Sequence, residues 1–475
     1  MFWIACYRLV EAFLVGYVAL VNGIYFILML IGYFALRKES EPFTAKDIDI
    51  LLKSPFVPSV SVLAPAFNEA ATIRDSVRSM LSLRHPKHEV IVINDGSADE
   101  TLHALIHEFR LYRSSRVALG EIPTAAVRGV YESRDPIPLV VIDKENGGKA
   151  DALNCGINYA RNDLFAAVDA DSIIERDALL QISRPFLEHP AETMAVGGMV
   201  RVANGCVIEH GALTAVDAPR NLLARFQIVE YLRSFLAGRT ALSFANTLLI
   251  ISGAFGVFRR QVVIDMGGYR RDTVGEDMEL VVRLHRYCRE RQLPCRVEFI
   301  SNSVCWTEAP ESWRVLRRQR VRWQRGCIEC LLFHKRLIGN RRFGAVGLVG
   351  LPYFLAYEAI APCAELLGYV LTVAGLCLGL LSPAGALLFA AVSVFFGLLM
   401  SISALLLEEM TISKYRNPRD IFRLLAAALL ENLGYRQLNL LWRVQAVIEV
   451  FSRRKGSWGA MERRGFQRPT PSVGS

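Results

Sequence analysis

Two apolar runs end in aspartates that are placed to bind a cation together with a phosphate group. Asp95 follows the run VIVIN directly and precedes Gly96 and Ser97, so its carboxylate would project from a strand end into a turn. Asp169 and Asp171 follow the run LFAAV, and strand alternation would place both on one side. Two carboxylates this close repel each other unless a cation lies between them, and a divalent metal that bridges to a diphosphate would be such a cation. Each motif alone also fits a solvated turn.

A third acidic pair opens a helix-like stretch. Gly275, Glu276 and Asp277 precede MELVVRLHRYCRE, so one acid could simply cap that helix and complement its dipole. The functional interpretation makes Asp277 a general base for a hydroxyl group, with Glu276 as its neighbour. The residues themselves are compatible with both interpretations.

A basic amphipathic stretch over residues 311 to 333 combines three side chains suited to a sugar phosphate. One interpretation is a helix that rests on lipid headgroups. Within its QRVRW sequence, however, Gln319 offers an amide donor, Arg322 a guanidinium and Trp323 an indole. Sugar rings pack their C–H faces on indole, and arginine binds phosphate with two hydrogen bonds. This combination favours a site for a sugar and a diphosphate.

Lys149 follows two glycines, as in a phosphate-binding loop, but the remaining pattern differs. Asp143 stands where the first glycine of such a loop would be, and Ala150 stands where its Ser or Thr would be. The segment is therefore not a Walker motif. Lys149 at the start of a helix could still reach a phosphate or a structural carboxylate, and both possibilities stay open.

The elements that must position these residues alternate between strand-like and helix-like segments. Nearly continuous apolar strands that alternate with helices predict an α/β domain with a mostly parallel sheet covered on both faces. Ligands collect at the carboxyl ends of the strands in such sheets, where Asn68, Asp95, Lys149 and Asp171 fall. The strand-like runs are SVSVLA (59 to 64), EVIVIND (89 to 95), PLVVID (138 to 143) and LFAAVDAD (164 to 171).

Long apolar segments lie on both sides of this domain. Residues 12 to 36 carry no charge and exceed the roughly 20 residues needed to cross a bilayer. The charge-free stretch 366 to 407 is twice that length and is interrupted at Ser382, which predicts a helical hairpin. Residues 343 to 364 and 421 to 451 contain charges, and we interpret both as interfacial helices.

The basic flanks of these segments predict an orientation in the membrane. By the positive-inside rule, clusters after the first span and on both sides of the hairpin are cytoplasmic. Three spans with the amino terminus outside satisfy this rule, and they place the middle domain and the tail in the cytosol. The clusters are Arg37 and Lys38, then Arg336, Arg341 and Arg342, then Lys414, Arg416, Arg419 and Arg423.

Net charge and cysteines exclude two other classes. The charge of +9 is concentrated beside apolar segments, which favours anionic lipid headgroups over nucleic acid as the partner. The ten cysteines include one CxxC, Cys327 and Cys330, which has no second pair and no nearby histidines. A zinc site is therefore not expected.

The order of DGS, DAD, GED and QRVRW, flanked by membrane helices, resembles the processive family 2 glycosyltransferases, which make cellulose, chitin, hyaluronan and poly-N-acetylglucosamine. This resemblance implies a GT-A type, Rossmann-like glycosyltransferase domain with transmembrane and interfacial helices. The expected division is an N-terminal span and linker over 1–54 and a cytosolic catalytic domain over 55–340. An interfacial helix and a transmembrane hairpin over 341–410 follow, and then a cytosolic interfacial helix and gating tail over 411–475.

The resemblance also implies a role for each motif. Asp95 would contact the uridine, Asp169 and Asp171 would hold Mg²⁺ or Mn²⁺ on the nucleotide, and Asp277 would be the base with Glu276 beside it. The remaining candidates fall into two groups by the substrate that they would contact. The donor group is Asn68, Glu69, Lys149, Asp169, Arg322, Trp458 and Arg463, and the acceptor group is Gly253, Gln319, Arg320 and Trp323. In the tail, Trp458 and Arg463 would close over bound UDP.

The expected activity is inverting transfer from a UDP-sugar to a growing β-linked polysaccharide at the inner membrane. The partners would be the UDP-sugar, the glycan acceptor and the bilayer, with accessory export proteins as a further possibility and no nucleic acid. Two alternatives stay open. One is a non-processive transferase that adds one sugar to a lipid carrier, and the other is an inactive transferase domain within a membrane transporter or receptor.

Overall fold

The computed structural model describes residues 2–39, 44–120, 122–415 and 417–452. Trp458 and Arg463 lie outside the described residues, so their predicted gating role stays a prediction. The strands are β1 (Val60–Ala66), β2 (His88–Asp95), β3 (Leu111–Arg113), β4 (Val127–Ser133), β5 (Leu139–Lys144), β6 (Leu164–Val168), β7 (Ser172–Ile174), β8 (Thr193–Val202), β9 (Val207–Glu209), β10 (Ala212–Ala215), β11 (Phe255–Arg259) and β12 (Arg296–Thr307).

The α-helices alternate with these strands and then continue alone to the end of the described chain. They are α1 (Phe2–Glu39), α2 (Ala45–Lys53), α3 (Ile73–Leu81), α4 (Thr101–Glu108), α5 (Lys149–Tyr159), α6 (Ala178–Glu188), α7 (Leu222–Tyr231), α8 (Thr240–Phe244), α9 (Arg260–Asp265), α10 (Glu276–Glu290), α11 (Trp313–Phe333), α12 (Leu351–Tyr353), α13 (Ala361–Cys377), α14 (Pro383–Thr411), α15 (Pro418–Leu430) and α16 (Tyr435–Phe451). Three π-helical segments interrupt them, at Leu232–Arg239, Val346–Gly350 and Phe354–Ile360. Two short 3₁₀ segments lie at Lys335–Leu337 and Arg341–Phe343.

Ten strands form one mixed sheet in the order β3-β4-β5-β2-β1-β6-β11-β8-β12-β7. Strands β5, β2, β1 and β6 are parallel neighbours, as the alternation of strand and helix predicts. The prediction of a mostly parallel sheet is nevertheless wrong for the flanks. Strand β4 pairs antiparallel with β5, and β11 lies antiparallel between β6 and β8. Strand β4 leads into β5 without a helix between them, and β11 is followed by α9 yet runs antiparallel to its neighbours, so the strand-then-helix pattern does not predict either direction.

Both faces of the sheet are covered because its central strands are apolar on both sides. In β1, Val60, Val62 and Ala64 are fully buried in the core shared with α3, α4 and α6. Leu63 points to the opposite face and joins the core shared with α5 and α10. The parallel strands therefore end together at one edge between two helical layers, and this edge is where side chains from separate motifs can meet.

Three helices are long and apolar enough to cross a membrane: Leu9–Arg37, Val346–Cys377 and Pro383–Thr411. The turn predicted at Ser382 separates the second from the third, since Ser382 caps α14. The separate interfacial helix predicted over 343 to 364 is wrong as an element of its own, because one helix runs from Val346 to Cys377. The single helix predicted over 421 to 451 is also divided, into α15 and α16.

Ion pairs join the carboxyl-terminal helices to the rest of the chain. Arg201 in β8 donates hydrogen bonds from Nη1 and Nη2 to the carboxylate of Glu408 in α14, at 2.8 and 2.7 Å. Arg233 in the π segment Leu232–Arg239 pairs at 2.7 Å with Glu431, which follows α15. Tyr25 of α1 donates to the carbonyl of Arg233 at 2.9 Å. These contacts fix the apolar helices close to the carboxyl edge of the sheet.

Candidate active site

A cavity of about 1010 Å³ opens at the carboxyl ends of β1, β2 and β6. Its wall continues from this edge to side chains of the apolar helices, including Tyr25 and Met400. The structure brings together every predicted site residue that it describes. These are Asn68, Glu69, Asp95, Lys149, Asp169, Asp171, Gly253, Glu276, Asp277, Gln319, Arg320, Arg322 and Trp323.

Asp95 organises the loop between β5 and α5. Its carboxylate accepts hydrogen bonds from Lys144 Nζ at 2.7 Å and from the amides of Gly147 and Gly148 at 3.0 and 2.8 Å. Lys144 is fully buried and also pairs with Asp151 at 2.7 Å. Asp95 thereby shapes the turn that presents Lys149 at the start of α5. A contact of Asp95 with uridine stays a prediction.

The loop after β1 is tied to the loop after β2 by hydrogen bonds. The backbone amide of Asn68 donates to Ser97 Oγ at 3.0 Å, and the side-chain oxygen of Asn68 accepts from the backbone amide of Ala98 at 2.9 Å. The Glu69 amide donates to Thr101 Oγ1 at 2.9 Å. Asn68 has a φ of 58°, a left-handed conformation that asparagine tolerates better than most residues. This bonding fixes Asn68 and Glu69 at the mouth of the cavity.

Lys149 connects the acidic pair after β6 to the segment before β11. Its ammonium bonds to the Asp169 carboxylate and to the carbonyl of Gly253 at 3.2 Å. Burial lowers the pKa of Lys149, but the negative charges of Asp169 and Glu276 outweigh burial and leave the pKa raised. Of the two roles that the sequence left open, the contact with a carboxylate is the one present. A Cβ atom at Gly253 would lie 2.9 Å from Lys149 Nζ, so a larger residue there would displace the end of the lysine side chain.

The residues around Asp169 fit a divalent cation. Asp169 and Asp171 both line the cavity just past β6, and Asp171 is 2% exposed. Among the described residues there is no cluster of three or more metal-ligating side chains. Two carboxylates suit Mg²⁺ or Mn²⁺, because Mg²⁺ is usually held by one or two carboxylates together with substrate phosphates.

Glu276 and Asp277 form the first turn of α10. Asp277 Oδ1 accepts from the Met278 amide at 2.8 Å, and its Oδ2 accepts from the Gly253 amide at 3.3 Å. Glu276 is buried, and burial together with the charge of Asp277 raises its pKa to about 7. Glu276 is therefore partly protonated near neutral pH, which limits the repulsion between the two carboxylates.

The QRVRW sequence lies on α11 and faces the same cavity. Gln319 is buried at 8% exposure, whereas Trp323 is 43% exposed and its ring centre is 6.3 Å from that of Tyr231. Arg320 also lines the cavity, where its guanidinium pairs with Glu230 at 2.7 Å and stacks 4.4 Å from the Trp323 ring centre. These contacts give Arg320 the position of a support for the indole. Its contact with an acceptor stays a prediction.

Close backbone contact brings α10 and α11 together. A Cβ atom at Gly275 would lie 2.7 Å from the Gly326 Cα, and one at Gly326 would lie 2.7 Å from the Gly275 Cα. Only two glycines permit this approach. It places the acids of α10 beside the guanidinium and the indole of α11.

The sequence analysis did not identify the helical segment that α7, the π segment Leu232–Arg239 and α8 form together. Its side chains Tyr231, Phe235 and Arg239 line the cavity. The only signal was two arginines, Arg233 and Arg239, inside an otherwise apolar stretch, LRSFLAGRTALSF. It also missed that Tyr353 and Tyr357, from the apolar helices, complete the opposite end of the wall.

A mixed α/β sheet whose parallel strands gather acids at their carboxyl edge defines a GT-A type glycosyltransferase fold. The structure of a mannosyltransferase from Pyrobaculum calidifontis, in complex with GDP-Man and Mn²⁺, shows the same fold. It superposes with a TM-score of 0.53 at 20% identity, over 89% of this chain and 99% of that chain.

The family follows from the sequence match. Residues 58–326 match the model described as glycosyltransferase like family 2, and this chain belongs to that family. A poly-beta-1,6-N-acetyl-D-glucosamine synthase of Staphylococcus epidermidis is 30% identical over 312 residues, which are 65% of this chain and 64% of the relative. The Staphylococcus aureus (strain COL) protein of the same name is 28% identical over 63% of this chain and 61% of its own length. The chain thus spans less than two thirds of the length of these curated relatives.

Proposed function

We propose that this protein is a membrane-bound, inverting glycosyltransferase that moves a sugar from a UDP-sugar to a growing β-linked polysaccharide. The observation that carries the proposal is the single cavity in which the acids of three motifs meet the guanidinium and indole of α11. The similarity to poly-beta-1,6-N-acetyl-D-glucosamine synthases supports N-acetylglucosamine as the transferred sugar.

Asp277 is the proposed general base. Hydrogen bonds from the Gly253 and Met278 amides orient its carboxylate, which lines the cavity. The acceptor hydroxyl gives its proton to Asp277 as its oxygen attacks the anomeric carbon on the face opposite the departing diphosphate. The new bond therefore has inverted configuration. A carboxylate is a sufficient base, because the anomeric carbon becomes cationic as the diphosphate departs.

Cationic side chains offset the charge of the leaving diphosphate. Arg322 lines the cavity and is proposed to bind the diphosphate with its planar fork, and Lys149 lies beside Asp169 in the same wall. Asp169 and Asp171 would hold Mg²⁺ or Mn²⁺, which, when bound, neutralises part of the phosphate charge. Trp323 offers an exposed indole face on which an acceptor sugar ring can pack.

The proposed location is the inner membrane, with three spans and the amino terminus outside. The three apolar helices support the number of spans, and the basic clusters beside them support the orientation. In this arrangement the catalytic domain over 55–340 and the tail over 411–475 lie in the cytosol, where nucleotide-sugars are made.

Turnover by membranes containing the full chain tests this proposal. Membranes are incubated with UDP-glucose, UDP-GlcNAc or UDP-GlcA, released UDP is measured, and the product is sized. Asp277→Asn should retain UDP binding and lose transfer. Asp272→Asn is the matched control, because Asp272 is an exposed acid five residues earlier that pairs only with Arg270 among the described residues. Transfer at the wild-type rate by Asp277→Asn would refute the role of Asp277.

One observation favours a second candidate function, the addition of one sugar to a lipid carrier. The cavity wall includes Phe354 and Met400, both on apolar helices, so a lipid-linked acceptor could reach the site from the bilayer. Product length separates the two functions: a polymer supports the synthase, and a single added sugar supports the lipid transferase.

A further inference from the structure

Arg239 is a buried cation that forms no ion pair in the described part of the chain. It ends the π segment Leu232–Arg239, lines the cavity and is 9% exposed. Its Nη1 atom is buried and has no hydrogen-bond partner. Its guanidinium stacks 3.7 Å from the ring centre of Phe235. None of the ion pairs among residues 2–39, 44–120, 122–415 and 417–452 includes Arg239.

The other buried arginines near the cavity are neutralised within the protein. Arg201 pairs with Glu408, Arg233 with Glu431 and Arg320 with Glu230, each at 2.7 Å. A buried charge without a partner is costly, since it loses its hydration and gains no compensating bond. Arg239 therefore has the environment of a residue whose partner comes from outside the chain.

Arg239 also keeps its positive charge at neutral pH. Burial lowers its pKa to about 10, and the nearby Asp277 and Tyr231 oppose that decrease. A guanidinium that stays charged and faces the cavity attracts an anion. Stacking on Phe235 holds its plane, so its donors are fixed in advance of binding.

We propose that Arg239 binds a phosphate group of the substrate inside the catalytic cavity. This inference rests on the proposed function, and it adds a second arginine, from a different helix, to the phosphate contacts assigned to Arg322. A planar fork of N–H donors matches phosphate oxygens with two parallel hydrogen bonds. The phosphate has two possible sources: the diphosphate of the donor, or the phosphate that links an acceptor to a lipid carrier.

Direct binding to the purified full-length protein in detergent tests the proposal without turnover. The probes are UDP, uridine and a polyisoprenyl monophosphate, and the variants are Arg239→Gln and Arg239→Lys. If the donor supplies the phosphate, Arg239→Gln weakens UDP binding by roughly 10- to 100-fold and leaves uridine binding unchanged. If the lipid carrier supplies it, only polyisoprenyl phosphate binding is weakened. Arg239→Lys keeps the charge and should retain part of the affinity.

A stability comparison separates ligand binding from a structural role. Arg320→Gln breaks the ion pair with Glu230 and should lower the Tm without ligand, whereas Arg239→Gln should leave the Tm equal or higher. Unchanged binding of both phosphate probes would overturn the inference, and so would equal weakening of UDP and uridine. If the wild-type protein releases no UDP from any UDP-sugar, the proposed function fails, while the binding comparison still decides the role of Arg239.

Discussion

Substitution of Gly326 by alanine should separate the two halves of the active site while the fold persists. Gly326 lies on α11 three residues after Trp323, and the added Cβ would lie 2.7 Å from the Gly275 Cα and 2.9 Å from the Gly275 nitrogen. Both of these atoms belong to the backbone, so no side chain can rotate away. The helix that carries Arg322 and Trp323 must therefore move relative to Asp277.

The size of this effect follows from the contact distance. Carbon atoms in contact are separated by about 3.5 to 4.0 Å, so α11 must move by about 1 Å. A displacement of about 1 Å at a catalytic site can lower the rate on the order of 100-fold. Overpacking costs about 1 to 3 kcal/mol. Alanine returns about 1 kcal/mol as the better helix former, so the net destabilisation stays at about 2 kcal/mol or less.

Initial rates of UDP release and thermal unfolding of purified Gly326→Ala measure the two effects separately. We expect kcat to fall on the order of 100-fold with a small decrease in Tm. Gly23→Ala is the matched control, because Gly23 is also a helical glycine and its added Cβ would meet nothing within 4 Å. A kcat for Gly326→Ala within about twofold of wild type would refute the claim that this contact sets the geometry of the site.

Three further outcomes are expected. Because burial raises the pKa of Glu276 from 4.5 to about 7, its contribution to stability is present below pH 4.5 and lost as the pH rises through 7. Relative to wild type, the free energy of unfolding of Glu276→Gln should increase by up to about 3 kcal/mol between pH 5 and pH 8 in EDTA. A difference in unfolding free energy that stays constant across that range would contradict this expectation. Glu408→Gln leaves Arg201 buried without its ion pair and should lower the free energy of unfolding by about 3 to 5 kcal/mol in detergent. The double variant Arg201→Met with Glu408→Leu should recover most of that loss. Equal Tm values for wild type and Glu408→Gln would contradict this expectation. EDTA should abolish UDP release, Mg²⁺ or Mn²⁺ should restore it, and Asp171→Asn should need more metal; full activity in EDTA would exclude the metal site.

The sequence predicted the parallel part of the fold because each of its strands is a buried apolar run followed by a helix. The run before Asp95 and the run before Asp169 are examples, and both lie where the alternation places them. The directions of β4 and β11 were not predicted. Strand β4 pairs with its sequence neighbours β3 and β5, whereas β11 pairs with β6 and β8, which lie far earlier in the chain. The continuous helix Val346–Cys377 was also not predicted, because the charged residue Glu358 within it favoured an interfacial helix over a membrane span.

The motifs predicted which residues line the site but not what each one contacts. The sequence did not decide whether Lys149 contacts a phosphate or a carboxylate, because its contact with Asp169 joins residues 20 positions apart that only the fold brings together. Arg320 and Arg322 are two residues apart, yet only the fold shows that Arg320 pairs with Glu230. Arg239 stands out only in the folded chain, because its importance comes from its burial and from the absence of an ion pair to it among the described residues.

Two ion pairs, Arg201 with Glu408 and Arg233 with Glu431, determine how this protein can be handled in the laboratory. A water-soluble fragment limited to residues 58–326 would retain Arg201 and Arg233 but lose Glu408 and Glu431. The fragment would then carry two arginines without their carboxylates, on the surface that α14 and α15 cover in the full chain. Preparations that keep the whole chain in detergent or nanodiscs preserve both ion pairs, so truncation is a poor route to an active sample.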